Sequence, residues 1–288
     1  MLRVSPSTQW RLTLVVLLGA CFAATAAFGQ STLDRARKDG YIRVGFPNQV
    51  PYAYADEKGV LTGADAVIAR MVVQKMGIKE MDGVLTEFAS LIPGLKAGRF
   101  DIVLAMFVNP QRCAQVAFSE PIYRVGQGII VRAGNPKKVR NYDDLVKQDD
   151  IRIAVMAGAV QMNNLKKLGV PESRISSYPD GPSAIAAVSA GRADVFTISD
   201  LPARRLLAAA GSSTGLEMVP AFAPPIVDGR PAQGHSAFAF RTEDAPLQQE
   251  FNKALAEIMG TPAFLEAMAP FGITRDNLPD TKTADLCH

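Results

Sequence analysis

Phe107-Val108-Asn109-Pro110-Gln111-Arg112-Cys113-Ala114-Gln115-Val116-Ala117-Phe118-Ser119-Glu120-Pro121 is the stretch on which the reading of this chain turns. Asn followed by Pro is a strong helix start, because the Asn side chain accepts from free backbone N–H groups and Pro tolerates the first helical position. Arg112 therefore falls in the first turn of a helix. A cation there opposes the helix dipole, at a cost of about a few tenths of a kcal/mol, and with the free N–H groups it makes an anion site. The strand-like run Asp101 to Ala105 comes just before. That order puts Phe107 and Arg112 in a loop at the carboxyl end of a strand, where open α/β sheets bind ligands. The arrangement reads as a carboxylate clamp; the plainer alternative is a solvated Arg at a helix start.

Outward from this stretch, strands and helices alternate. Helix Leu33 to Lys38, strand Tyr41 to Phe46, helix Ala64 to Met76, strand Val84 to Glu87 and helix Ala89 to Ala97 are expected before strand Asp101 to Ala105. After it come strand Gly128 to Arg132, helix Tyr142 to Lys147, strand Ile151 to Met156, a small-residue loop at Ala157-Gly158-Ala159 and a return strand Ala237 to Phe240. Helices Ala245 to Met259 and Pro262 to Met268 close the order. Alternation of this kind predicts an α/β fold. The chain has 288 residues, enough for two lobes. The predicted division is residues 30–131 plus 236–288 for the first lobe and 132–235 for the second, with two crossover hinge strands.

The formal net charge is +3, and residues 1–29 hold Arg3 and Arg11 but no acid, so a chain lacking them would carry about +1. No basic block suggests nucleic-acid binding. The apolar, charge-free run from Leu12 to about Phe28 is laid out as a secretory signal. Ala27-Phe28-Gly29 offers a cleavage site, which predicts soluble release into the periplasm. The competing route is a lipobox, Leu18-Gly19-Ala20-Cys21, that would leave a lipid-anchored Cys21; the apolar residues after Cys21 disfavour it. Trp10, the single tryptophan, lies in this leader.

Two further blocks complete a recognisable pattern: Glu87-Phe88-Ala89-Ser90-Leu91-Ile92-Pro93-Gly94-Leu95-Lys96-Ala97-Gly98-Arg99-Phe100-Asp101, and Ala184 to Val195, where helix, Gly191-Arg192-Ala193-Asp194 and strand repeat the theme. With the opening stretch they resemble family 3 solute-binding proteins of ABC importers. The resemblance covers about residues 31 to 288. It implies the two-lobed, type II "Venus-flytrap" α/β fold, closing about a hinge on a small ligand, without a cofactor or metal. Partners would be a zwitterionic solute and an inner-membrane permease, for a protein acting as a monomer.

Within that family the chain is similar to the ectoine and hydroxyectoine binding proteins, at Ser31-Thr32-Leu33-Asp34-Arg35, Pro51-Tyr52, Phe88, Phe107, Arg112-Cys113 and Cys287. The resemblance implies an aromatic box of Tyr52, Phe88 and Phe107 for a delocalised cation. Arg112 would hold a carboxylate through two parallel N–H bonds. The plain alternative for any one of the aromatics is core packing. Two departures stand out: Gln49 where those relatives carry an acid, and Val160 where they carry a hydroxyl. Backbone N–H groups around Gly158 and Ala159 remain available for a carboxylate.

In amino-acid binders of the wider family an Asp near Ser199 and Asp200 holds the α-ammonium. Asp200 facing the cleft would favour an amino acid, whereas Ser199 would favour a solute with delocalised or shielded charge; the plainer alternative for Asp200 is a helix N-cap. The resemblance also predicts a disulfide between Cys113 and Cys287, consistent with export to an oxidising compartment, against two free thiols. A polar amino acid or betaine-like solute is the second ligand class. The rival function is an enzyme on the same fold, a cyclohexadienyl dehydratase, which needs an acid or base in the cleft. Glu87, His235 and His288 are the thin candidates, so the expectation is a binding protein and not an enzyme.

Overall fold

The computed structural model describes residues 30–211 and 214–288. The leader expected over residues 1–29, with its cleavage site and Cys21, lies outside the described residues.

Two sheets organise the chain. The first runs in the order Glu80–Leu85, Tyr41–Phe46, Ile102–Phe107, Gly234–Phe240 and Ala117–Phe118, with Tyr123–Val125 also on the Gly234–Phe240 strand. The second runs Ile175–Tyr178, Ile153–Met156, Val195–Ser199, Gln127–Arg132 and Leu216–Met218. In each sheet the first three strands are parallel and the fourth is antiparallel to its neighbour. The antiparallel strand is in both cases the one that has crossed from the other lobe. Gln127–Arg132 follows Tyr123–Val125 of the first sheet after the single residue Gly126, and Gly234–Phe240 brings the chain back.

Strand Gln127–Arg132 pairs along its length with the second sheet, Gln127 opposite Ser199 and Val131 opposite Val195. The sheets therefore divide at Gly126, not after residue 131, and the return strand begins at Gly234. The edge strand Glu80–Leu85 starts four residues before the Val84 expected from the sequence. Its Glu80, Asp82 and Gly83 are exposed, so no buried face wrote an apolar pattern there. The Tyr41–Phe46, Tyr142–Lys147 and Pro262–Met268 elements have the expected bounds.

The repeated Gly-Arg-x-Asp blocks have the same physical use in each sheet. The Asp101 carboxylate accepts from the backbone N–H, Nε and Nη2 of Arg43 at 3.3, 3.3 and 3.1 Å. Asp194 accepts from the same three atoms of Arg152 at 2.9, 3.0 and 2.9 Å. Each acid thus locks the start of its parallel strands, and Arg35 and Arg241 add to Asp101 at 2.7 and 3.1 Å. Burial opposes ionisation of Asp101, but the hydrogen bonds from Arg35, Arg43 and Arg241 outweigh it and hold the carboxyl below its usual range.

The C-terminal helix Ala245–Ile258 packs on the first sheet, where Phe251 meets Phe238 and Phe240 at 4.8 and 5.3 Å between ring centroids, and Pro262–Met268 packs against the Ala64–Lys75 helix. The chain's last turn, Thr283–Leu286, reaches the short Pro110–Cys113 helix through a disulfide between Cys287 and Cys113, with sulfurs 2.02 Å apart and 174 residues of separation. Among the described residues no helix is long and apolar enough to cross a membrane, and no cluster of three His, Cys, Asp or Glu is placed to hold a metal.

Candidate functional site

Strand Ile102–Phe107 ends at Phe107, and Asn109 caps the next helix: its Oδ1 accepts from the Arg112 N–H at 2.9 Å, with Pro110 in the first position. This geometry turns the Arg112 side chain inward. The residue is only 7% exposed, and its Nη1 donates to the Phe107 carbonyl at 2.6 Å while Nη2 donates to the Gly158 carbonyl at 2.9 Å. The guanidinium carbon lies 5.3 Å from the centroid of the Phe88 ring. Among the described residues no carboxylate forms an ion pair with Arg112. Burial lowers its pKa to about 10, so it remains a cation at neutral pH. Of the five guanidinium N–H donors, two bond to a partner among the described residues.

Around Arg112 is a cavity of about 20 Å³ between the lobes, room for one or two waters. Its first-lobe wall is Gln49, Phe88, Ala105, Phe107 and Arg112; its second-lobe wall is Met156, Ala159, Val160, Gln161, Thr197, Ile198 and Ser199. Arg112 is the one charged side chain in that wall. The lobes are in contact here: a Cβ added to Gly158, whose φ is +75°, would stand 3.3 Å from Ala89 Cα. At Gly234 a Cβ would fall 2.5 Å from the Phe107 ring, so that ring lies flat on the return strand only because the position is glycine.

Gln49, Phe88, Phe107, Arg112, Ala159, Val160 and Ser199 of the sequence-derived set meet at this cavity. The remaining three take other positions. Gly158 presents its carbonyl, not its N–H, to Arg112, and the Ala159 N–H is taken by the Met156 carbonyl at 3.1 Å. Tyr52 sits behind the wall, 1% exposed, edge-on to Phe107 at 5.9 Å and stacked on Tyr123 at 5.7 Å. Backbone bonds from Ala64 to the Pro51 carbonyl and from Asp65 to the Tyr52 carbonyl tuck its loop against the helix start. Its buried hydroxyl lies near Ser199 but makes no hydrogen bond of good geometry among the described residues. Burial, and next the Asp200 carboxylate, push its pKa well above the usual tyrosine value. Asp200 opens the Asp200–Ala210 helix, its Oδ1 accepting from the Leu201 N–H at 2.9 Å beside Gly126, outside the cavity wall.

The enzyme candidates are also elsewhere. Glu87 and His288 are not in this wall, and buried His235 has Nε2 3.4 Å from Asp280 Oδ1. Burial lowers the pKa of His235 below the usual imidazole value.

Sequence reading missed Thr197, Gln161 and Asp65. The Thr197 hydroxyl is buried at the cavity, beside Tyr142, and makes no hydrogen bond of good geometry among the described residues. Gln161 Nε2 donates to Gln127 Oε1 at 3.0 Å, which also accepts from the Tyr142 hydroxyl at 3.2 Å, and Gln127 Nε2 donates to the Ala232 carbonyl at 2.7 Å. Strand alternation is the available signal for Thr197, since residues two apart on a strand share a face and Ser199 lies two positions on.

Asp65 organises the floor. Wholly buried, it accepts from the Ala105 N–H at 2.8 Å, the Ser236 hydroxyl at 3.0 Å and the Tyr123 hydroxyl. It thereby holds Ala105 at a φ of +59° and fixes the ring that backs Tyr52. Burial raises its pKa from 3.8 to about 6 against those three hydrogen bonds. A folded-state pKa above the unfolded one means that the folded protein binds the extra proton. The contribution is fully present below about pH 4 and is lost as pH rises through about 6, amounting to about 3 kcal/mol. Urea midpoints measured from pH 4 to 8 are expected to fall across that window in the native protein relative to Asp65→Asn; parallel curves would remove this assignment.

Residues 42–270 match the bacterial extracellular solute-binding proteins, family 3. The chain belongs to this family. Over 283 residues, 96% of this chain and 93% of the relative, it is 36% identical to a probable amino-acid ABC transporter periplasmic-binding protein, y4tE, of Sinorhizobium fredii. It is 25% identical to the lysine/arginine/ornithine-binding periplasmic protein of Escherichia coli, covering 86% of this chain and 90% of that protein. Among solved structures, EhuB in complex with hydroxyectoine is similar at a TM-score of 0.80 and 28% identity, over 89% of this chain and 97% of EhuB. An ancestral amino acid-binding protein, AncCDT-1, a precursor of cyclohexadienyl dehydratase, is similar at 0.71 and 27%, over 84% and 99%. The fold is thus the two-lobed type II fold of periplasmic binding proteins, and this solute-binding protein is the ligand-capturing component of an amino-acid-type ABC importer.

Proposed function

We propose that this solute-binding protein captures a small zwitterion, ectoine or hydroxyectoine first, in the cleft at Arg112, whose walls part on a hinge to widen the space of about 20 Å³ they enclose here, and hands it as a monomer to an inner-membrane permease. The leader would be removed near Gly29, leaving the protein soluble in the periplasm, with lobes meeting at Gly126 and near Gly234. The observation that carries the reading is Arg112: a buried cation that, among the described residues, has no acid beside it and bonds through only two of its N–H donors. A ligand carboxylate supplies the missing charge through charge-assisted bonds.

The cationic part of such a ligand meets aromatic faces, Phe88 and Phe107, and neutral Gln49, Thr197 and Ser199. A delocalised cation fits that wall better than a compact ammonium, which usually requires an acid. The likeness to EhuB, whose structure holds hydroxyectoine, supports the same choice. The second reading is an amino acid: the y4tE relative is described as an amino-acid binder, and Asp200 lies near enough to Tyr52 to act on its hydroxyl. Hinge rotation would then turn Asp200 towards the ammonium.

A thermal-shift panel of ectoine, hydroxyectoine, glycine betaine, proline and common amino acids separates the two. A ligand at a hundred times its Kd adds about 2.7 kcal/mol, which raises the Tm of a chain this size by about 5 to 11 °C. A shift confined to ectoine and hydroxyectoine is expected. Shifts confined to amino acids would replace the first reading with the second.

A further inference from the structure

Gln127, the first residue past Gly126, carries a buried amide that sets the hydrogen-bond polarity of the second-lobe wall. Its Nε2 donates to the Ala232 carbonyl at 2.7 Å. A carbonyl can only accept, so the Oε1 of Gln127 is turned the other way, where it accepts from Gln161 Nε2 at 3.0 Å and from the Tyr142 hydroxyl at 3.2 Å. Each of those donors is committed in its turn. With its NH2 group on Gln127, the Gln161 amide has its oxygen on the opposite side, and among the described residues no group donates to that oxygen. The Tyr142 oxygen has given its proton to Gln127, so towards the Thr197 hydroxyl beside it the tyrosine can only accept. Gln161 and Thr197 are 3% and 1% exposed, and both line the cavity at Arg112. They therefore turn oxygen lone pairs, not protons, to the ligand space. Every member of the relay lies between the crossings at Gly126 and Gly234, so opening the cleft leaves it intact.

From this relay we infer that Gln161 and Thr197 are acceptors for the ligand's cationic part and that Gln127 is the positioning residue that keeps them so, which limits the ligands to zwitterions whose cation carries N–H donors. The inference rests on the reading of Arg112 as the carboxylate anchor. A quaternary ammonium has no N–H and would bury both oxygens unanswered. A site built to hydrogen-bond a ligand group rejects the analogue that lacks it, because its own buried polar atoms are left unpaired.

Calorimetric titration of the purified protein with two pairs of ligands tests the wall: ectoine against N,N′-dimethylectoine, and proline against N,N-dimethylproline, the second member of each pair having no N–H. Ectoine is expected to bind about tenfold or more tightly than its dimethyl derivative. Thr197→Val, which keeps the shape of the side chain and makes no room for a methyl group, is expected to shrink that ratio, as is Gln161→Met. Gln127→Met frees the Gln161 amide to turn over and is expected to shrink it likewise, an effect that lost stability alone would not produce. A dimethyl derivative bound as tightly as its parent would overturn the inference. So would a ratio unchanged in all three variants, which would mean that the methyl groups are excluded by their size. If proline shows the same preference and ectoine does not bind, the ectoine reading has failed and the acceptor wall stands; if neither parent binds, both have failed.

Discussion

Arg112→Gln is expected to weaken zwitterion binding by about thirtyfold to several thousandfold, the range for truncating one partner of a buried, hydrogen-bonded charge pair. The cause is specific to this site. The guanidinium is buried, keeps its proton with a pKa of about 10, and has no carboxylate partner among the described residues. Its two observed bonds go to neutral carbonyls, Phe107 and Gly158, so the ligand is the group that balances its charge. Arg112→Lys keeps the cation but loses the planar two-point grip, and should fall between the native protein and the Gln variant. Because the unliganded protein bears the desolvation of an unbalanced charge, Arg112→Met should leave its urea stability within about 1 kcal/mol of the native value, the freed Gly158 carbonyl taking water as the lobes part. Native-like affinity in the Gln variant, or a large stability loss in the Met variant, would make Arg112 a structural residue.

Reducing the Cys113–Cys287 bond carries the second large effect. The bond spans 174 residues and so restrains an unfolded loop covering both lobes' connections. Chain-entropy reasoning for a loop of this length gives about 5 kcal/mol, and measured disulfide removals span about 2 to 5 kcal/mol. At roughly 2 to 4 °C per kcal/mol for a protein of this length, the melting temperature should drop by about 4 to 20 °C on reduction. The double variant Cys113→Ala, Cys287→Ala should melt at the reduced protein's temperature and ignore reductant. Coincident melts with and without reductant would contradict this. The same bond ties the terminal Thr283–Leu286 turn to the four-residue helix that aims Arg112, so ligand affinity should fall along with stability.

The parts of this architecture that were legible in the sequence are those whose local chemistry and global use coincide. Asn109-Pro110 dictates a helix start, and the helix is there with Asn109 capping it. The apolar runs at Ile102–Phe107 and Gly234–Phe240 become central buried strands. The Gly-Arg-x-Asp blocks repeat because each acid clamps an Arg on the adjacent strand start, a reason that appears only when the strands are side by side. The edge strand Glu80–Leu85 was misjudged because an exposed edge needs no apolar alternation.

The site shows the same division. Arg112, Phe88 and Phe107 meet at the cavity, and the motifs that carry them are legible in the sequence. Tyr52 stands in such a motif as well, but its place behind Phe107 depends on backbone bonds from Ala64 and Asp65, which leave no local signature. Asp65 reads locally as an acid in a helix's first turn, an ordinary dipole-favoured position. Its real use, holding Ala105, Ser236 and Tyr123, joins segments up to 171 residues apart. Thr197 and Gln161 are equally ordinary until the lobes meet. Ser199 lies at the wall and Asp200 at its helix start, a difference of position that the residues alone do not write.

The central claim is that Arg112 is the anchor for a ligand carboxylate, and a crystal structure of the protein with the panel's tightest zwitterion tests it most directly. The account predicts a carboxylate oxygen about 2.7 to 2.9 Å from a guanidinium nitrogen of Arg112, with the ligand's cationic part against the Phe88 and Phe107 rings. A ligand whose carboxylate is held elsewhere, with Arg112 still bonded only to the Phe107 and Gly158 carbonyls, would contradict it.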